Sequence, residues 1–216
     1  MNPEALDRAI RDKIAVASRI VIISHVQPDG DAVGSLLGLG AALIKTGKTV
    51  QLVLEDGVPE KYSSLKYADQ VSRSVSDEYD LSIVVDASDP DRIGSVLINH
   101  SKPDIVIDHH KTNLRFAHLN LVEEDEVATA AVLANHMPAW GLTIDIDVAA
   151  GLLTGIIADT IGFRTSNMTS EALRISADLI DKGADLVALY RQALVSRPFE
   201  AMRYWGAGLN RLQRDE

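Results

Sequence analysis

Arg19-Ile20-Val21-Ile22-Ile23-Ser24-His25-Val26-Gln27-Pro28-Asp29-Gly30-Asp31 decides how the rest of the chain is read. Residues 19–24 are a β-branched apolar run, the pattern of a strand buried on both faces. A histidine and two aspartates around a glycine follow, and residues 31–47 then take up helical periodicity, with Gly47 placed as a C-cap. Outward from this unit, residues 50–54 read as a second strand, stopped by Glu55-Asp56-Gly57. Residues 81–85 and 105–107 read as a third and a fourth. Strands separated by helical patterns predict an α/β fold with a largely parallel sheet flanked by helices.

The pattern changes after Val127, and the C-terminal part reads as helical. Residues 128–136 predict a helix. Residues 147–158 are apolar nearly all round and predict a buried one. Residues 170–182 are amphipathic and stop at Gly183, and residues 184–195 and 198–213 also read as helices. The charged, helix-like residues 1–13 do not resemble a signal peptide.

Composition excludes several classes of function. The 216 residues carry 31 acidic and 21 basic side chains, a formal net charge of −10. That balance disfavours binding of long duplex nucleic acid, which rewards a basic surface. There is no cysteine, so disulfides, thiolate metal sites and cysteine nucleophiles are excluded. The longest apolar stretch, residues 33–44, is glycine-broken and short of the roughly 18 residues a membrane span requires. No membrane partner and a cytoplasmic setting are the expectation.

The acids and imidazoles fall where a parallel sheet would use them. His25, Asp29 and Asp31 follow the first strand, Asp86 the third, and Asp108, His109 and His110 the fourth. In open parallel sheets ligands bind outside the carboxyl ends of the strands. Asp159, at the end of the apolar helix, can approach from the opposite side. Imidazole and carboxylate without sulfur suit manganese, magnesium, iron or zinc. The set is large enough for two ions, with Asp86 as the natural bridge. Ordinary readings exist for each: Asp31 as a helix N-cap, Asp86 in an Asx-turn with Ser88-Asp89-Pro90, Asp159 as a cap or turn residue. His100, His118 and His136 read as structural or solvent-exposed.

Four motifs resemble the DHH phosphoesterase superfamily: His25-Val26-Gln27-Pro28-Asp29-Gly30-Asp31-Ala32-Val33-Gly34-Ser35; Val84-Val85-Asp86-Ala87-Ser88-Asp89; Asp108-His109-His110; and Gly155-Ile156-Ile157-Ala158-Asp159-Thr160 followed by Gly162-Phe163-Arg164. Within it the chain is most similar to the bacterial bifunctional oligoribonucleases that also dephosphorylate 3′-phosphoadenosine 5′-phosphate. The resemblance implies a manganese-dependent hydrolase acting through two-metal-activated water, with magnesium as a substitute ion. His25, Asp29 and Asp86 would hold one ion, and Asp31, Asp86, His109 and Asp159 the other. His110 would face the substrate phosphate, Asp108 would orient a histidine, and Arg164 would touch phosphate. Substrates would be short RNA or a nucleotide, and a homodimer is compatible. Residues 1–195 would form the DHH domain and 196–216 a connecting helix toward an absent C-terminal domain with a glycine-rich motif. The alternatives are a cyclic- or linear-dinucleotide phosphodiesterase of the same superfamily and a non-catalytic nucleotide- or metal-binding domain.

Overall fold

The computed structural model describes residues 2–75, 78–97, 102–196 and 199–213; His100 lies outside them. Helix α1 (Pro3–Val16) precedes β1 (Arg19–Ile23), α2 (Gly30–Lys45) and β2 (Thr49–Val53). Strands β3 (Leu81–Val85), β4 (Ile105–Asp108) and β5 (Leu119–Val122) complete the sheet. Helices α3 (Thr129–His136), α4 (Ile146–Asp159), α5 (Ser170–Asp181), α6 (Leu186–Tyr190) and α7 (Phe199–Leu209) follow. All five strands pair in parallel, in the order β2-β1-β3-β4-β5. The four strands expected from the sequence are present. The fifth, Leu119-Asn120-Leu121-Val122, is an additional edge strand whose partial burial leaves no continuous apolar run. Residues 184–195 form not one helix but α6 followed by a turn of π-helix over Arg191–Val195.

Alternation along the strands divides the core. Ile20, Ile22, Ile83, Val85, Ile105 and Ile107 face the larger cluster, packed with α1, α2, α3 and α4. Val21, Ile23, Val84 and Val106 face a smaller one with Ile93, Val96 and Ala117. Both faces are covered, which is why the strands read as unbroken apolar runs. Helix α7 buries no residue, and Phe199, Tyr204 and Trp205 are exposed on it. Among the described residues no helix is long and apolar enough to cross a membrane.

Glycines set the crossing of α2 and α4. A Cβ at Gly34 would collide with the Gly151 carbonyl and approach the Gly155 nitrogen at 2.8 Å, so backbone meets backbone there. Gly30 serves close approach as well: it opens α2 without a left-handed φ, and a Cβ would strike Ala158 of α4. This differs from a glycine needed for a sharp loop turn. Gly34→Ala should cost about 1–3 kcal/mol through overpacking, a fall in Tm of roughly 2–12 °C. Helix propensity alone would raise Tm, so an unchanged or higher value in thermal unfolding would contradict the crossing.

His136 ties α1 to the sheet edge. Its Nδ1 lies 2.7 Å from Asp7 Oδ1 and its Nε2 2.9 Å from Glu123 Oε1, while Trp140 Nε1 donates to Asp7 at 2.8 Å. Burial opposes the charged ring, but the two carboxylates outweigh it and raise its pKa above 6.5. A raised folded pKa gives stabilisation that is full below the unfolded value and is lost as pH rises through the folded one. His136→Gln should therefore cost about 1–2 kcal/mol in mildly acidic solution. Urea unfolding at a series of pH values should show the gap narrowing as pH rises; a gap independent of pH would contradict the ion pairs.

Candidate metal centre

The strand order reverses between β1 and β3, and the cluster sits outside the carboxyl ends of the strands at that switch point. The loop after β1 carries His25 and Asp29; Asp29 is the N-cap of α2, its Oδ1 accepting from Asp31 N at 3.0 Å and Ala32 N at 3.1 Å. Asp31 is thus not the cap of its own helix. Its fully buried carboxylate accepts from Thr129 N at 2.6 Å, Ala130 N at 3.0 Å and Ser35 Oγ at 3.2 Å. The first N–H groups of α3, preceded by an alanine that cannot cap, are satisfied by an aspartate from another helix.

Asp86 follows β3 directly with φ 56°, a left-handed conformation that aspartate tolerates better than most residues. The Asx-type cap expected there belongs instead to Asp89, whose Oδ1 accepts from Arg92 N at 3.1 Å. The two oxygens of Asp86 face different neighbours. Oδ2 lies 3.5 Å from His25 Nε2, which is 3.8 Å from Asp29 Oδ1. Oδ1 accepts from the Thr129 hydroxyl at 2.9 Å and lies 3.9 Å from His109 Nε2. His109 Nε2 is in turn 3.3 Å from Asp159 Oδ2 and 4.0 Å from Asp31 Oδ2. One carboxylate therefore stands between a His25–Asp29 pair and an Asp31–His109–Asp159 trio. Donor atoms within each of His25–Asp29–Asp86 and Asp31–His109–Asp159 lie within 4.8 Å of one another, as do those of Asp86, His109 and His110.

Backbone carbonyls orient the imidazoles. His25 Nδ1 is 2.7 Å from Val26 O, and His109 Nδ1 is 3.2 Å from Glu126 O. A carbonyl only accepts, so each Nδ1 carries the proton and each Nε2 offers its lone pair to the cluster when the ring is neutral. His110 is held differently: its Nδ1 lies 2.7 Å from Oδ1 of the fully buried Asp108.

Electrostatics expose a shortage of positive charge. Burial raises the Asp31 pKa well above the ordinary carboxylate range, and the Asp86 and Asp159 charges add to this. Burial likewise pushes Asp159 up to about 6, with His109 opposing and Asp86 contributing. On the other side, burial opposes the charged forms of the His25–Asp29 pair, but their mutual attraction at 3.8 Å prevails. His25 is pushed up to about 10 with help from Asp86, and Asp29 is held down at about 2. The partners of Asp31, Asp86 and Asp159 are imidazoles, hydroxyls and backbone N–H groups. Buried carboxylates with no Lys or Arg partner among the described residues, mixed with imidazoles turned inward through Nε2, are a donor set fitted to hard or borderline divalent cations.

A cavity of about 640 Å³ opens beside His109 and His110, with Lys111, Glu124, Asn167 and Thr169 in its wall. Arg164 is not part of that wall; it is exposed on the turn after α4, its Nε donating to Ile161 O at 2.9 Å. Thr129 and the Glu126 carbonyl are contributors that sequence reading missed. A threonine opening a helix is an unremarkable signal, and a backbone carbonyl leaves none.

Residues 19–156 match the family described as "DHH family, N-terminal domain". The chain belongs to the DHH family. Among curated members it is 35% identical over 201 residues to the "Bifunctional oligoribonuclease and PAP phosphatase NrnA" of Thermus thermophilus, covering 91% of this chain and 60% of that protein. It is 27% identical over 215 residues to the "Cyclic-di-AMP phosphodiesterase GdpP" of Bacillus subtilis, covering 88% of this chain and 32% of that protein. Among solved structures, an exopolyphosphatase-related protein from Bacteroides fragilis superposes with a TM-score of 0.89 at 25% identity, covering 98% of this chain and 66% of that one. The chain spans about 60% of the length of the first curated DHH relative.

Proposed function

We propose that this chain is a divalent-metal-dependent phosphoesterase that hydrolyses short oligoribonucleotides and nucleotide phosphates such as 3′-phosphoadenosine 5′-phosphate. The observation that carries the reading is the position of Asp86, with one oxygen toward His25 and the other toward His109. His25, Asp29 and Asp86 would hold one ion, and Asp31, Asp86, His109 and Asp159 the second, manganese being the preferred metal and magnesium a substitute. Bound there, such ions supply Lewis-acid stabilisation of phosphoryl charge and acidify a water toward neutrality. The protein's own groups do the positioning. Val26 O and Glu126 O hold the imidazoles with Nε2 inward, and Thr129 fixes the Asp86 carboxylate. Asp108 commits the Nδ1 proton of His110, which leaves Nε2 for a phosphoryl oxygen. The cavity beside His109 and His110 gives a nucleoside room next to that phosphate.

Similarity to the T. thermophilus bifunctional enzyme supports this choice of substrates. Similarity to a cyclic-di-AMP phosphodiesterase makes dinucleotides the second class to assay. Phosphate release from 3′-phosphoadenosine 5′-phosphate and mononucleotide release from short RNA should both require added manganese. Folded, manganese-loaded protein that hydrolyses neither substrate would overturn the assignment, as would equal hydrolysis in excess chelator.

A further inference from the structure

We propose that Asn113 is a positioning residue that locks the Asp108 carboxylate and, through it, the imidazole of His110. The inference rests on the proposed role of His110 toward the substrate phosphate. Asn113 lies in the turn after β4, outside the motifs that mark the family. Its Nδ2 donates to Asp108 Oδ2 at 2.6 Å, while the other oxygen, Oδ1, is 2.7 Å from His110 Nδ1. The same Nδ2 donates to the carbonyl of Ala87 at 3.0 Å, the residue after Asp86. Asn113 Oδ1 accepts from Arg115 N at 2.6 Å, where the chain is left-handed with φ 52°. Two backbone bonds close the loop: Asn113 N donates to His110 O at 3.1 Å and Leu114 N to Ser88 O at 2.8 Å.

These contacts leave the amide one orientation. Its oxygen faces a backbone N–H and its nitrogen faces two acceptors; a flipped amide would set nitrogen against N–H and oxygen against a carboxylate. The nitrogen end must therefore face Asp108. A buried carboxylate with both oxygens engaged cannot swing toward the crowded oxygens of Asp86, so the His110 ring keeps one tautomer and one direction. Asn113 also joins the turn behind Asp86 to the turn bearing His109 and His110, fixing the spacing of the two strand ends.

The simpler role is service to the turn alone, through the Asn113 oxygen and Arg115 N. Aspartate performs that task equally well, and this separates the two roles. Asn113→Asp keeps the shape and the accepting oxygen but removes the N–H₂ donor; Asn113→Ala removes both. The two variants are assayed near pH 8 against wild type with manganese for kcat, KM, melting temperature and manganese content, and the ¹H–¹⁵N signal of the His110 Nδ1 proton is recorded with diamagnetic magnesium in place of manganese. The expected result for both is a kcat lower by about 10–100-fold, KM changed far less, and a shifted or exchange-broadened Nδ1 signal. Asn113→Asp should keep the wild-type manganese content, with a melting temperature lowered by the carboxylate oxygen it sets against Asp108 and the Ala87 carbonyl. Wild-type kcat in Asn113→Asp beside an impaired Asn113→Ala would overturn the proposal in favour of the turn role. Wild-type kcat and Nδ1 signal in both variants would also overturn it. The Nδ1 signal needs no turnover: if it is lost in Asn113→Asp while wild type hydrolyses no phosphoester, the clamp stands and the phosphoesterase reading alone fails.

Discussion

Asp86→Ala should lower phosphoester hydrolysis by roughly 10³-fold or more, the scale of losing several kcal/mol of metal-borne charge stabilisation. The variant should retain fewer than two ions per chain by mass spectrometry. Both expectations follow from geometry: among the described residues Asp86 alone faces His25 with one oxygen and His109 with the other. Its removal damages both halves, whereas loss of Asp29 or Asp159 touches one. The fold should survive. Deleting Asp86 orphans the Thr129 hydroxyl, but it also relieves the repulsion that burdens Asp31 and Asp159. Asp108→Asn is the informative contrast, because Asp108 contacts His110 and Asn113 rather than the centre of the cluster. Its cost should stay near 10–100-fold, with metal content unchanged. Two ions retained by Asp86→Ala, or a larger loss in Asp108→Asn, would contradict the bridge.

Stripping the metal should abolish hydrolysis, and manganese should restore it better than calcium, which prefers more oxygen ligands at longer distances. The same experiment has a stability readout. Asp31 and Asp86 are buried with no Lys or Arg partner among the described residues, so a divalent ion that binds only the folded state should stabilise it substantially. At free manganese about a hundredfold above its dissociation constant the gain is about 2.7 kcal/mol, a rise in Tm of roughly 5–11 °C for a chain of this size. The rise should be absent or much reduced in Asp86→Ala. Full activity in chelated protein, or a Tm indifferent to manganese, would rule out the metal centre.

Much of this was legible in the sequence, and the rest was hidden for physical reasons. Strands β1, β3 and β4 read directly because parallel strands covered on both faces become unbroken β-branched runs. Strand β5 carries Asn120 and borders the sheet, so its composition resembles that of a loop. The acids and imidazoles could be placed at the strand ends because each follows an apolar run directly. Which oxygen of Asp86 faces which imidazole could not be read, since that depends on a left-handed φ at one residue. The engagement of Asp31 with the start of α3 links positions 98 residues apart, and local sequence carries no mark of it. Asp29 and Asp31 are both chemically able to cap α2, and only the path of the loop assigns the cap to Asp29. The inward turn of His109 depends on the Glu126 carbonyl, which any residue at that position could supply.

Anomalous scattering from manganese-soaked crystals tests the central claim most directly. Two peaks per chain are expected, one among His25, Asp29 and Asp86 and the other among Asp31, His109 and Asp159, with the Asp86 carboxylate between them. A single peak, or peaks away from these side chains, would contradict the two-ion centre on which the proposed hydrolysis depends.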